Sequence, residues 1–308
     1  MAAAIIFAVL SALSSAGSAV LQRRAAVDHK SAAAGPGWRG AISLVRRPMW
    51  LLGGALLVGT FVFQALGLYF GPLTVVQPIL VLELIFTLGL RAFLLHDDIA
   101  ARTWLAGLTI CLGLAAFLIV ADPGDGTRVP DLGQWLLAVG TRGLAVLVLL
   151  LLSRYGPPAR RAALFGAATA IVWSVDAAFV KVTVDLLAHG GIIGVLTHWP
   201  LYAMAATGIF GTVLLQGAYA VGPLAASQAT LLIVDPLASI MLGLELFGEG
   251  LSTGVGSVLG IIVSLAVLGV GVVMLSIWAP PVMTVPAASD PPHESDPPHK
   301  EASSPIAS

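Results

Sequence analysis

Long runs of apolar residues, broken by short polar segments, dominate the pattern along this chain. Nine runs have the length of roughly 18–25 residues that an α-helix needs to cross about 30 Å of hydrocarbon. The runs lie near residues 2–21, 49–70, 73–95, 103–121, 132–152, 162–184, 199–219, 224–246 and 254–278. The sequence therefore predicts nine transmembrane helices, α1 to α9 in that order.

The composition agrees with this prediction. Hydrophobic residues make up 58% of the chain and charged residues 10%, and the mean hydropathy is +0.96. A soluble domain carries about a quarter charged residues, so this chain must hide most of its surface from water. A net charge of −1 provides no basic footprint for nucleic acid. The single cysteine, Cys111, excludes an intramolecular disulfide framework and a cysteine zinc site, and lies in an apolar run as a packing residue.

The first run has one alternative reading, a secretory signal peptide, because small residues at positions 14–19 would suit a signal peptidase. A signal peptide, however, has a positive segment before its apolar run, and here Arg23 and Arg24 follow the run. We therefore interpret this segment as the membrane helix α1.

Basic residues predict the orientation, because Lys and Arg in short loops stay cytoplasmic. They concentrate after α1, α3 and α5, whereas the loops after the even-numbered helices hold only Arg128; Lys181, near the outer end of α6, is the exception. The sequence thus predicts a plasma- or inner-membrane protein with its N-terminus outside and its C-terminus in the cytoplasm. The basic residues on the predicted cytoplasmic side are Arg23, Arg24, Lys30, Arg39, Arg46, Arg47, Arg91, Arg102, Arg154, Arg160 and Arg161.

Two segments outside the apolar runs have their own character. Residues 279–308 contain two Asp-Pro-Pro-His repeats and many Ser and Ala residues, a composition that cannot bury enough apolar surface to fold. They predict a disordered cytoplasmic tail, with metal binding by His293 and His299 as the less favoured alternative. Residues 38–45 have the amphipathic pattern of a short interfacial helix.

An internal repeat is the most informative feature of the chain. The motif Gly71-Pro72-Leu73-x-x-x-Gln77 recurs 151 residues later as Gly222-Pro223-Leu224-x-x-x-Gln228, each time between two apolar runs. The same register aligns Asp98 with Glu249. A second match, at 158 residues, aligns three further pairs: Phe7 with Phe165, Leu21 with Phe179, and Arg23 with Lys181.

This register matches α1–α4 with α6–α9 and leaves α5 as a connector. Because the offset of five helices is odd, the second copy must be inverted relative to the first, as in secondary transporters, whose sites lie near the midplane between the repeats. The predicted organisation is a first repeat in 1–121, an external loop and connector in 122–152, and a second repeat in 153–278. Chance similarity between Leu/Gly/Ala-rich helices is the competing explanation.

A longer stretch resembles a known family. The segment from Asp235-Pro236 to Gly248-Glu249 and Ser252 is similar to the signature of the EamA-type drug/metabolite transporter superfamily, in which an acidic-Pro pair precedes Gly-Glu and a Gly-rich last helix. The resemblance covers about residues 2–278 and implies a polytopic carrier without fixing its substrate.

The first half departs from that superfamily pattern. It has the basic loop 22–48 where a second helix is usual, and Gln77-Pro78 early in α3. In this respect it resembles the NIPA-like magnesium transporters.

Ionisable side chains within membrane helices are candidate functional residues, because insertion of each costs roughly 2.5–3.5 kcal/mol. Near helix centres the chain has Glu83 in α3, Arg142 in α5, Asp176 in α6 and Asp235 in α8. The surplus of carboxylates favours a cation or a proton as the transported or coupling species. Structural pairing is the alternative, with Asp176 or Glu83 as the expected partner of Arg142.

Neighbouring polar positions extend the candidate site. Four serines form one stripe on α1, and the 158-residue register aligns the last of them, Ser18, with Asp176; close helix packing is the alternative explanation for the stripe. The same register aligns the other three, Ser11, Ser14 and Ser15, with Thr169, Val172 and Trp173.

Two prolines interrupt the backbone hydrogen bonding of their helices. Pro236 frees the carbonyl of Leu232, and Pro78 frees that of Thr74, so each offers a possible cation ligand near Asp235 or Gln77, with a simple kink as the alternative. The repeated Gln228 completes the set of predicted site residues. Four residues near the hairpins are equally consistent with ligands and with interhelical hydrogen bonding: Gln64, Tyr69, Gln216 and Tyr219.

Enzyme motifs are not found: there is no His-Glu-x-x-His, and no Lys-Ser/Thr follows Pro123-Gly124-Asp125-Gly126. We therefore expect no cofactor and no catalytic residue, only a small solute or cation and membrane lipid as partners. The predicted function is a gradient-driven carrier with an acidic midplane site. The alternatives are a magnesium or other divalent-cation carrier, with Asp235, Glu83 and Asp176 as candidate ligands, and a membrane scaffold or assembly factor that transports nothing.

Overall fold

The computed structural model describes residues 1–31, 48–126 and 129–278, with side chains in the first range described as far as residue 25. These ranges form helices joined by turns, and their one β-type contact is an isolated antiparallel bridge between Gly124 and Gly250. The predicted all-α fold is therefore confirmed. The expected interfacial helix at 38–45, Arg128 and the predicted tail at 279–308 lie outside the described residues.

Nine helices in the described ranges are long and apolar enough to cross a membrane. This confirms a multi-pass membrane protein. The helices are α1 (Ala2–Ser31), α2 (Pro48–Phe70), α3 in two segments, α3a (Leu73–Leu80) and α3b (Glu83–Leu94), α4 (Ala101–Ala121), α5 (Leu132–Leu152), α6 (Pro158–Thr197), α7 (Trp199–Val221), α8 (Leu224–Leu242, extended by a π-helical turn at Gly243–Phe247) and α9 (Val255–Trp278).

α3 is not the single helix that the sequence predicts. Pro78 has no N–H to donate, and the following residues close the gap with tighter bonds, from the amide of Val81 to the carbonyl of Pro78 and from that of Leu82 to Ile79. A turn at these two residues separates α3a from α3b. Glu83 therefore lies at the start of α3b and not in the middle of a continuous helix.

α6 and α8 also differ from the prediction. α6 runs on to Thr197 but is kinked at Gly191, whose φ of 62° is not helical. α8 continues as a helix through Pro236, so it is not broken there. Its irregular part is the π-helical turn that ends at Gly248, where φ is 64°.

Contacts between chain segments distinguish the two ends of the helix bundle. At one end, Lys181 donates a hydrogen bond to the carbonyl of Gly71, and Ser252 bonds to Ala121. At the other end, Gly222 lies against Pro158. We name these the Lys181 end and the Gly222 end. α3 runs from the first to the second, whereas α8 runs in the opposite direction.

The helices pack in a pattern that is similar in the two halves. α1 packs along α2 and against α3, and α6 packs along α7 and against α8, while α4 packs along α9. Small residues permit the closest approach, as expected in a bilayer: a Cβ on Gly113 would lie 2.5 Å from the backbone nitrogen of Leu268. The result is a space enclosed by α1, α2, α3, α6 and α8.

Candidate functional site

This space is a cavity of about 290 Å³. Three of its lining residues are acidic: Glu83 from α3b, Asp176 from α6 and Asp235 from α8. Gln77 and Pro236 also line it, as the sequence predicts for a site around the helix interruptions. The remaining lining residues are Ser11, Ala12, Ser15, Thr60, Gln64, Leu80, Val81, Trp173, Leu231 and Leu232.

The charge in this cavity is of one sign. None of its described lining residues is Lys, Arg or His. Within the described part of the chain, no basic side chain forms a salt bridge with Glu83, Asp176 or Asp235. A carboxylate in such surroundings must bind a cation, take up a proton or remain poorly solvated.

Asp176 has a hydroxyl partner that suits both of its protonation states. The hydroxyl oxygen of Thr207 lies 2.7 Å from Oδ1 of Asp176 and 3.0 Å from the carbonyl oxygen of Ala203. A hydroxyl has one proton and can also accept. Thr207 can thus donate to an ionised Asp176, or donate to the carbonyl of Ala203 and accept from a protonated Asp176.

Asp235 and Gln77 each direct an unsatisfied atom into the interior. Oδ1 of Asp235 and Nε2 of Gln77 are buried, and neither has a hydrogen-bond partner among the residues that the structure describes. Gln77 is 2% exposed. Leaving a buried polar group unpaired costs about 1–3 kcal/mol. Oδ1 of Asp235 is an acceptor and Nε2 of Gln77 is a donor, so each of these two lining residues carries one polar atom whose hydrogen bond is not made.

The serine stripe on α1 divides between the cavity and helix packing. Ser11 and Ser15 line the cavity, and Ser15 interacts with Glu83. The hydroxyl of Ser11 donates to the carbonyl of Thr60 at 2.9 Å, so it also links α1 to α2. Ser18 instead accepts from Gln22.

The equivalent stripe on α6 divides in a similar way. Trp173 and Asp176 line the cavity. Thr169 donates to the carbonyl of Phe165 within the same helix at 2.9 Å. The structure therefore brings part of each stripe to the same interior surface.

Three of the predicted site residues lie elsewhere. Arg142 forms an ion pair with Glu245 at 2.6 Å, beside a separate apolar groove between α5, α6 and α7. The expectation that Arg142 pairs with Asp176 or Glu83 is wrong, because α5 packs on the outer side of α6. Gln228 donates to the hydroxyl of Tyr219. Pro78 shapes α3 but does not line the cavity.

A metal ion held by several side chains finds no site in this arrangement. In the described ranges, no three His, Cys, Asp or Glu side chains come together as a metal-binding group. The three carboxylates share a cavity without converging on one point. A cation here would keep part of its water shell, as Mg²⁺ commonly does.

A second polar cluster lies at the Lys181 end. The carboxylate of Glu249 accepts from the amides of Leu73 at 2.7 Å and Thr74 at 2.9 Å, and Lys181 donates to it at 2.8 Å. Lys181 also donates to the carbonyl of Gly71 at 3.1 Å. The side chain of Glu249 is completely buried. We call this group the Glu249–Lys181 clamp.

The chain is 31% identical over 253 residues to an uncharacterized protein of Corynebacterium glutamicum. The match covers 80% of this chain and 85% of the relative. The chain belongs to the same family as this protein. No family model matches the chain, and no solved structure matches it.

Sequence reasoning missed the clamp and two threonines: Thr60, which lines the cavity, and Thr207, which bonds to Asp176. The signals for the clamp were present: Lys181 is the exception in the charge distribution, and the repeat aligns both Lys181 and Glu249 with charged residues of the first half. Thr207 and Thr60 have no such signal, because single threonines in apolar helices are common as packing residues. Their roles depend on which helix faces meet.

Proposed function

We propose that this protein is a secondary transporter of a small solute, working by alternating access around the acidic cavity and coupled to a cation or a proton. The observation that carries the proposal is the convergence of Glu83, Asp176 and Asp235 on one cavity without a basic partner. Unpaired carboxylates at membrane depth are costly to insert. A role in binding a cation or proton gives a reason for that cost.

The same observation weighs against a scaffold or assembly factor. A protein that moves nothing has no use for carboxylates in its interior, and its acidic residues would be paired or would face the membrane surface. Arg142 and Glu245 are a pair of this structural kind. The three cavity carboxylates form no such pair within the described residues, although Arg142 lies in α5, which packs against α6.

Similarities between the two halves support an inverted repeat. α3 and α8 both follow a Gly-Pro-Leu hairpin, and they start at opposite ends of the bundle. A Cβ on Gly71 would crowd Ala4, and a Cβ on Gly222 would crowd Ala162. Ala4 and Ala162 are related by the same 158-residue register that aligns α1 with α6. Such an arrangement places a binding site between the repeats, where the cavity lies, and it agrees with the resemblance to EamA-type carriers.

A divalent-cation carrier is the second candidate; the three unpaired carboxylates favour it, and the cavity is large enough for it. A water molecule occupies about 30 Å³ in the liquid, so a cation with six waters needs roughly 180 Å³, less than the 290 Å³ of the cavity. Mg²⁺ is often bound by one or two carboxylates through a partly retained water shell. The resemblance of the first half to NIPA-like magnesium transporters points to the same ion.

Transport by purified protein in liposomes tests both candidates. Uptake and efflux are measured for divalent metals, amines and amino acids, with and without a proton gradient. The proposal expects a saturable flux of at least one of these classes that Asp235→Asn and Asp176→Asn each lower at least about tenfold in folded protein. Glu245→Gln, which removes a carboxylate outside the cavity, is the matched control. Folded protein that moves none of these classes, or variants that transport at the wild-type rate, would overturn it.

The proposed orientation places the Lys181 end outside and the Gly222 end in the cytoplasm, as the basic loops predict. A reporter fused after Ser308 should then read cytoplasmic, and one inserted near Gly126 should read external. Both reporters on one side of the membrane would contradict a chain of nine spans.

A further inference from the structure

The two Gly-Pro-Leu hairpins differ in what holds them. At the first hairpin, Glu249 accepts hydrogen bonds from the first two amides of α3a, and Lys181 donates one to the carbonyl of Gly71. Amides at a helix start have no partner within the helix, and a carboxylate is their strongest one. The clamp therefore fastens a hairpin of the first half to α6 and to the end of α8.

The second hairpin has no such clamp. The amides of Leu224 and Ala225, equivalent to those of Leu73 and Thr74, receive no side-chain acceptor in the described part of the chain. Asp98, which the repeat aligns with Glu249, is exposed. Arg23, which it aligns with Lys181, lies near Arg91 and Asp97.

Burial follows the same difference. Every residue of α3a from Leu73 to Ile79 is buried. In the equivalent residues of α8, from Leu224 to Thr230, only Ser227 is buried. The bundle is thus sealed around the hairpin at the Lys181 end and loosely packed around the hairpin at the Gly222 end.

We propose that the Glu249–Lys181 clamp is one of two exchangeable gates, and that Asp98 with Arg23 forms the equivalent clamp on the amides of Leu224 and Ala225 in the opposite conformation. The inference rests on the proposed transport function for its purpose. Its physical basis is twofold. The repeat aligns Asp98 with Glu249 and Arg23 with Lys181. Glu249 bonds to the amides of its hairpin here, whereas Asp98 makes no such bond to the described amides of Leu224 and Ala225. Opening the Lys181 end would release Glu249 and close the Gly222 end on Asp98.

Accessibility of the cavity from each side tests the gates without any transported solute. The reporter is Leu80→Cys, at a cavity position two turns beyond the first hairpin, in a Cys111→Ala background. Membrane-impermeant maleimide is applied to vesicles of both orientations. We expect the reporter to be labelled at least about tenfold faster from the Gly222 end, because the clamp amounts to several charge-assisted hydrogen bonds.

Glu249→Gln should reverse this preference by raising labelling from the Lys181 end on the order of tenfold, since an amide keeps the shape and loses the charge. Lys181→Met should act in the same direction, because it leaves the buried carboxylate of Glu249 without its cation. Glu245→Gln is the matched control, since it removes a carboxylate from the turn just before Glu249 that pairs with Arg142 and not with the amides of α3a, and it should leave labelling unchanged. Each variant is first checked for a monodisperse, folded state.

Asp98→Asn makes the test specific for exchange. Alone, Asp98→Asn should increase the preference for labelling from the Gly222 end. In the double variant with Glu249→Gln, both gates are weakened, so the side preference should return close to that of wild type. Labelling that does not respond to Glu249→Gln, or a double variant that behaves like Glu249→Gln alone, would overturn the proposal. Folded protein that changes sides but moves no tested solute would keep the gates and remove the transport function.

Discussion

The hairpins at Gly71 and Gly222 share a motif and a way of packing, yet they lie in different surroundings. Each hairpin glycine lies against an alanine, Ala4 of α1 or Ala162 of α6. The first hairpin is then buried under Glu249, whereas no side chain of the described residues caps the second. Gln77 and Gln228 differ accordingly: the first lines the cavity with its Nε2 unpaired, and the second bonds to Tyr219.

This difference shows that equivalent local sequence does not ensure equivalent contacts in one conformation. The motif determines the turn and the close approach of the helices, which both copies make. The polar contacts depend on where each half sits relative to the other.

The largest expected effect is in amide hydrogen exchange at the two helix starts. Leu73 and Thr74 should exchange more than about a hundredfold more slowly than Leu224 and Ala225, because two hydrogen bonds to a charged group contribute about 3 kcal/mol or more. Exchange measured by mass spectrometry on the full chain checks this. Glu249→Gln should remove the difference, and equal protection of both hairpins in the unmodified protein would contradict the clamp.

The next effect concerns the two residues that precede the helix prolines. Asp235→Asn should lower transport roughly ten- to hundredfold, because an interaction with a charged group contributes about 1.5–3 kcal/mol. Its thermal stability should stay close to wild type, since Oδ1 of Asp235 has no partner to lose. Gln77→Leu removes an uncharged group and should reduce transport less. A variant Asp235→Asn that unfolds would show a structural role for this carboxylate.

Alanine substitutions at the two hairpin glycines compare the packing. A Cβ at Gly222 would overlap the backbone carbonyl of Pro158 and lie 3.0 Å from Cβ of Ala162, whereas a Cβ at Gly71 would meet only the Cβ of Ala4, at 2.5 Å. Gly222→Ala should therefore cost about 1–3 kcal/mol of stability through overpacking, and Gly71→Ala should cost less, because the first turn of α1 can shift. Thermal unfolding in detergent measures both. Equal losses would show that the two ends are equally rigid.

The smallest expected effect compares the two repeated glutamines. Gln228→Leu should cost about 1 kcal/mol, the typical value of one hydrogen bond, because it removes the bond to Tyr219. Gln77→Leu should leave stability unchanged or raise it slightly, since it removes a buried donor without a partner. Thermal unfolding of the two variants in one detergent is the measurement. A larger loss at Gln77 would reveal a partner within the membrane.

The sequence by itself determined the class of protein, the nine apolar helices of the described ranges and the three acidic residues that line the cavity. An apolar run of membrane-crossing length can satisfy its backbone only as a helix when lipid surrounds it, so the nine helices follow from local composition. Charge inside such a run is rare enough that Glu83, Asp176 and Asp235 were recognisable as site residues. Gln77 and Pro236 followed from the backbone chemistry of proline.

Only the tertiary structure decided which side chains meet. Arg142 pairs with Glu245, Thr207 bonds to Asp176, and Glu249 reaches across the molecule to the start of α3a. These contacts join residues from 31 to 176 positions apart in the chain, and their geometry depends on the rotation and the crossing of helices that are apolar on every side. In lipid the relative positions of such helices depend on close packing of small residues and on a few polar contacts. The residue pattern within one helix does not predict these contacts.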